Sequence, residues 1–132
     1  MTRGAERRLL QAVVALLCLI PLSTASVGIL RGAEWLAHDA VRADLDSHFR
    51  YLSGVFLGMA LGFASCIPAI ERQGARFRLL GMMVVIGGLA RAWSLLSVGA
   101  PSTGHLVGLC VELGAVPLVV LWQASLQRRW GS

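Results

Sequence analysis

Apolar residues in this chain gather into four long runs, separated by short charged or turn-forming links. Leu9–Leu30 runs for 22 residues without a charge and Tyr51–Ile70 for 20. Leu79–Val98 is interrupted only by Arg91, and His105–Leu126 only by Glu112. At about 1.5 Å of rise per residue, a helix of this length crosses the roughly 30 Å of hydrocarbon in a bilayer. None of the runs shows the strict alternation of shorter segments that marks transmembrane β-strands. The pattern therefore predicts an all-α chain, an integral membrane four-helix bundle with antiparallel up-down topology. Residues 1–132 form a single transmembrane domain with helices at approximately 9–30, 47–70, 79–98 and 105–126.

The links are Arg31–Arg50, Glu71–Arg78 and the tight Gly99–Gly104 turn around Pro101. Short connections make neighbouring helices antiparallel. The first link carries Trp35, Leu36, Ala40, Val41 and Leu45, which predicts a short helix lying at the membrane surface. Pro21 and Pro117 fall inside spans, where each is expected to kink its helix and free the carbonyl of Leu17 or Leu113. Ser23 and Thr24 stand close enough to help near the first.

Composition agrees with a bilayer as the solvent. The chain is 56% hydrophobic and 14% charged, with mean hydropathy +0.70. Its net charge is +5, and all 12 basic residues are arginine. They are dispersed in short groups between apolar runs, which argues against a nucleic-acid surface and for a role in topology. Arg3, Arg7, Arg8, Arg72, Arg76, Arg78, Arg128 and Arg129 fall on one side of the four spans. Arg31, Arg42 and Arg50 on the other are diluted by Glu34, Asp39, Asp44 and Asp46. Both termini are thus expected to be cytoplasmic, in a bacterial inner membrane. The rival reading is a cleaved signal, with Met1–Arg8 as its basic start, Leu9–Leu22 as its apolar core and Ser23-Thr24-Ala25 as its cleavage site. Apolar character resumes through Val27–Leu30, which favours a full span.

Arg91 and Glu112 carry the chain's most distinctive chemistry, because charges inside a span are costly and turn inward to a partner. Across a hairpin at Pro101 they stand at equal depth, and an Arg91–Glu112 bridge is the simplest way to bury both. Gly87, Gly104 and Gly108 are expected to let the two backbones approach. Gly114 and Pro117 are placed to open a pocket beside Glu112 by bending its helix. Asp46 reads as the N-cap of the second helix and as an i,i+4 partner of Arg50. Asp46, Arg50, Arg91 and Glu112 together form the candidate polar site, a neutral cluster in the outer half of the bundle. Gly54, Gly58 and Gly62 make a small-residue stripe for packing within the bundle or between copies of it.

Cys18, Cys66 and Cys110 lie in separate apolar runs and read as inert small side chains. His38, His48 and His105 have no ligand spacing, so no metal is expected. Neither a nucleophile turn nor a phosphate loop is present, and neither catalytic residues nor a cofactor are assigned.

Three further segments carry a family likeness. They are Asp46-Ser47-His48-Phe49-Arg50-Tyr51-Leu52-Ser53-Gly54, a D-x-x-F-R-x-x-S-G pattern; Gly87-Gly88-Leu89-Ala90-Arg91, a G-G-x-A-R pattern; and Glu112. With Ile70-Glu71-Arg72 and Phe77-Arg78 they resemble a small bacterial membrane family, domain of unknown function 4345. The resemblance implies a four-helix integral membrane protein and brings no activity with it. A looser likeness of architecture is to DoxX-like membrane proteins associated with redox enzymes. The expected role is a non-enzymatic membrane component that binds a lipid-like or small amphipathic ligand, or supports a partner protein or a second copy of itself. A redox or quinone-associated subunit is the alternative.

Overall fold

A computed structural model describes residues 2–130. The elements in order are α1 (Arg3–Arg31), α2 (Glu34–Ala37), α3 (Ala43–Cys66), a 3-10 turn at Ile67–Ala69, α4 (Gly74–Ser97), α5 (Thr103–Cys110), a π turn at Val111–Ala115, and α6 (Val116–Trp130). Among the described residues there is no strand. Four helical stretches, Arg3–Arg31, Ala43–Ala69, Gly74–Ser97 and Thr103–Trp130, are long and apolar enough to cross a membrane. Their apolar side chains largely face outward: Leu16 is 65% exposed, Leu96 82% and Leu118 68%. Burial of apolar area is worth about 25 cal/mol per Å², so a surface of this kind is stable only against hydrocarbon.

The chain divides into two compact units, one formed by Gln11–Ile67 and the other by the N-terminal residues through Leu10 together with the chain from Pro68 onward. In the first unit, α1 runs unbroken through Pro21. Around that proline the Ser23 hydroxyl donates to the carbonyls of Leu19 and Ile20, and the Thr24 hydroxyl to Ile20, not to the freed carbonyl of Leu17. Gly32, at φ +70°, turns the chain out of α1, a conformation that glycine adopts without strain. The surface helix expected across Arg31–Arg50 is reduced to the four residues of α2, because Ala43 already begins α3. Side chains also join α1 to the α3 segment: Gln11 Nε2 donates to the Ile67 carbonyl at 2.7 Å, and the Cys18 thiol lies 3.9 Å from the Ala60 carbonyl.

In the second unit, α4 buries Gly74, Phe77, Gly81, Val84 and Gly88, the alternating three- and four-residue spacing of a helix seam. Three glycines at seven-residue intervals meet three side chains at the same interval. A Cβ on Gly74 would collide with Gln127, one on Gly81 would stand 2.5 Å from Val120 Cγ2, and one on Gly88 2.8 Å from Leu113 Cδ2. This is where backbones come close, at Gly74, Gly81 and Gly88. The four-residue stripe behaves differently, since within its own unit a Cβ on Gly54 or Gly58 meets no described atom within 4 Å. The Gly62 carbonyl accepts from the Ser65 hydroxyl at 2.6 Å and the Cys66 thiol at 3.4 Å.

The observed helices begin before the apolar runs at all four N-terminal ends, and the first and last also outrun them at the C-terminal end. Exposed charged residues such as Arg3, Arg8 and Asp44 are helical because a helix continues into the interface, where charged side chains reach water. Pro117 also acts differently from a simple kink. It has no N–H for the Leu113 carbonyl, and the π turn shifts bonding to i+5, with Val116 N–H on the Val111 carbonyl. Gly114 lies inside that turn.

Candidate functional site

The π turn is the element that presents Glu112 to α4. Arg91 and Glu112 meet as a fork, Nε to Oε2 at 3.0 Å and Nη2 to Oε1 at 3.1 Å. Parallel bonds of this kind are the strongest that a guanidinium makes with a carboxylate. The Glu112 side chain is 12% exposed, whereas the Arg91 side chain keeps 33%. Gly88, one turn before Arg91, supplies the room, since its missing Cβ would sit 2.9 Å from Glu112 Cβ. The glycines expected to do this are elsewhere. Gly87 and Gly104 face open space, and Gly108 comes no closer than 4.0 Å to Glu112 Oε1. Both carboxylate oxygens are engaged, and Arg91 Nη1 has no acceptor among the described residues. The pair is neutral as a whole but offers donors on one side only.

Asp46 and Arg50 pair within the other unit, Arg50 Nε to Asp46 Oδ2 at 2.7 Å. The i,i+4 spacing is realised, but Asp46 is no N-cap, because α3 starts at Ala43 behind Arg42. Its Oδ1 instead accepts the backbone N–H of Ala33 at 2.7 Å. Arg50 Nη1 donates to the carbonyls of Ile29 and Leu30, which the end of α1 leaves without helical donors. Phe49 and Ser53 lie against Gly28, while Asp46 and Arg50 crowd Gly32. Asp, Phe, Arg and Ser of the D-x-x-F-R-x-x-S-G segment thus have one common purpose, to clasp the C-terminal end of α1 and hold the turn that follows it.

A third polar assembly was missed from sequence. Glu6, 7% exposed, accepts Arg129 Nη1 at 3.0 Å and the Trp122 indole N–H at 3.1 Å. Glu71, 6% exposed, pairs with Arg7 at 3.1 Å, and Arg7 also donates to the Pro68 carbonyl at 2.6 Å. Fully buried Gln123 donates to the Ile70 carbonyl at 2.7 Å, and Arg78 reaches Gln127 at 3.3 Å. Arg3 donates to the Trp130 carbonyl and lies 5.9 Å from the Trp130 ring centre, so Trp122 and Trp130 serve as partners of charged residues as well as interfacial aromatics. One hint existed in Gln123, a lone amide in an apolar run. Of the cysteines, Cys18 and Cys66 are buried and Cys110 is exposed.

Residues 9–123 match the family described as a domain of unknown function, DUF4345. The chain belongs to the DUF4345 family. Comparison with curated proteins and with solved structures yields no match in either. The matched span of this DUF4345 chain contains all four candidate residues, and the structure joins them as two pairs, Asp46 with Arg50 and Arg91 with Glu112, each inside its own unit.

Proposed function

We propose that this DUF4345 protein is a non-enzymatic component of a membrane, and that Arg91 and Glu112 hold a lipid-like or small amphipathic ligand. One observation supports the reading above the others. A charged fork lies within helices of membrane-spanning length, on a π turn, with unused donors on a one-third exposed Arg91. A pair serving only to fix helix register needs neither the wider turn nor the exposed donors, and π turns often accompany functional sites. The ligand expected there presents a hydrogen-bond acceptor, such as an ester carbonyl or phosphate oxygen, above an apolar tail.

The test is native mass spectrometry of the protein purified from membranes in mild detergent. The native chain is expected to retain an amphipathic molecule that the Arg91→Leu/Glu112→Leu double variant loses. Equal retention by both would overturn the assignment. A retained quinone would favour the redox-associated alternative.

The same reading places the protein in an inner membrane with cytoplasmic termini. The polar assembly around Glu6, Glu71 and Gln123 supports it, since it links the N-terminal, Pro68–Arg78 and C-terminal basic segments of one unit. Eight arginines then share an end. Topology reporters fused at the C-terminus and inserted after Ser102 are expected to report inside and outside, respectively. The opposite pair of results would reverse the orientation.

A further inference from the structure

A second group of hydrogen-bonding side chains stands apart from the Arg91–Glu112 fork, in the unit that contains the clasp. Arg31, Glu34, Trp35 and His38 line one open cavity of about 420 Å³. That volume lies within the range of small-ligand sites. Arg31, Glu34 and His38 are exposed and Trp35 is half-buried, and none of the four side chains makes a hydrogen bond or ion pair with a described residue. Polar side chains that line one cavity and remain unpaired are free to bind something else.

The backbone around the cavity is held firmly. Asp46 fixes Ala33 N–H, Arg50 closes the last carbonyls of α1, and Gly32 turns the chain between them. His38, in the left-handed region at φ 56°, ends α2 and donates its backbone N–H to Glu34. The clasp formed by the D-x-x-F-R-x-x-S-G segment thereby sets the positions from which all four lining residues project.

We infer that this cavity is a binding site for a zwitterionic phosphoethanolamine group. Its lining carries both signs and both kinds of partner. Arg31 and the His38 imidazole supply donors for a phosphate, and Arg is suited to phosphate by its planar set of N–H groups. Glu34 and the Trp35 ring face the other requirement, an ammonium, through an ion pair and a cation–π contact. A site for a bare anion would not carry Glu34, and a site for a bare cation would not carry Arg31. Depth favours a lipid as the source. Arg31 follows directly on the uncharged run Leu9–Leu30, so the cavity lies where the chain leaves hydrocarbon and headgroups begin.

The test uses the full chain in maltoside micelles, titrated calorimetrically with three probes: dihexanoyl phosphatidylethanolamine, dihexanoyl phosphatidylglycerol and free O-phosphoethanolamine. The ethanolamine lipid is expected to bind, and the glycerol lipid to bind at least about tenfold more weakly, because it lacks the ammonium. Arg31→Gln, Glu34→Gln and Trp35→Leu are each expected to weaken ethanolamine lipid binding about tenfold or more, whereas Leu36→Ala leaves it unchanged. These positions are on the surface, and thermal unfolding of each variant verifies that the fold is intact. Free O-phosphoethanolamine binding at comparable strength assigns recognition to the headgroup alone, and binding only of the lipid assigns the site to the membrane; both outcomes support the inference. Equal affinity for the two lipids, or an affinity indifferent to Arg31→Gln and Glu34→Gln, overturns it. The Arg91→Leu/Glu112→Leu double variant, which removes any binding at the fork, is expected to keep a lipid-binding event that Arg31→Gln and Glu34→Gln weaken, so the two sites stand or fall separately.

Discussion

Replacing either Arg91 or Glu112 alone by leucine is expected to destabilise the protein by roughly 3–5 kcal/mol, the cost of stranding one charge of a buried pair. The two losses should be unequal. Glu112→Leu leaves a guanidinium whose side chain is one-third exposed, whereas Arg91→Leu leaves a carboxylate that is buried. The arginine left alone can turn its exposed side to polar surroundings, so the larger penalty is expected for Arg91→Leu. Replacing both residues removes the stranded charge, and the double variant is expected to recover most of the stability. Thermal unfolding in detergent, read by circular dichroism, measures all three. Single variants as stable as the native chain would mean that each charge is solvated without the other.

The value of this cycle is that it separates structure from binding. A double variant that folds but no longer holds an amphipathic molecule assigns the fork to recognition. One that folds and still holds it reduces Arg91 and Glu112 to a device for register, because the π turn and the packing at Gly88 then suffice to position α6.

The spans and the Arg91–Glu112 pair were legible in sequence for one physical reason. Hydrocarbon tolerates neither a broken apolar run nor an unpartnered charge, so both leave a mark in composition alone. The pairing partner followed from equal distances to the turn at Pro101. What stayed hidden depends on which side chain meets which. Asp46 looked like a cap of its own helix because Asp is a favoured N-cap and Arg50 follows at four residues, although Arg42, Ala43 and Leu45 before it are good helix formers, and nothing local says that it reaches back to Ala33. The partners of Glu6 and Glu71 are remote in sequence or lie in a charge-rich start, where any of several arginines would have served. The π turn at Val111–Ala115 was half visible, since Pro117 announced a disturbance without fixing its form.

The glycines show the same limit most sharply, and the second large effect is expected there. Gly54, Gly58 and Gly62 have the familiar four-residue spacing, whereas Gly74, Gly81 and Gly88 repeat at seven and pass for unrelated residues until α6 is laid against them. Gly81→Leu is expected to cost about 3 kcal/mol, at the upper end of overpacking penalties, because its first added carbon already stands 2.5 Å from Val120 Cγ2. Valine is branched at Cβ and cannot swing away. Gly81→Ala keeps only that first carbon, so Val120→Ala, which removes the opposing methyl, should restore much of what Gly81→Ala loses; a non-additive cycle of this kind reports direct contact. Gly58→Leu is expected to stay within about 0.5 kcal/mol of the native protein or to stabilise it slightly, since leucine favours the helix and the position is open. Oligomeric state, read by light scattering on the same samples, gives the stripe its own test. If Gly58→Leu dissociates an assembly while leaving the unfolding of the chain unchanged, the four-residue stripe is an interface between copies; if it alters neither, that face looks at lipid. A loss at Gly58 equal to that at Gly81 would require a close neighbour that the helix's own unit does not provide.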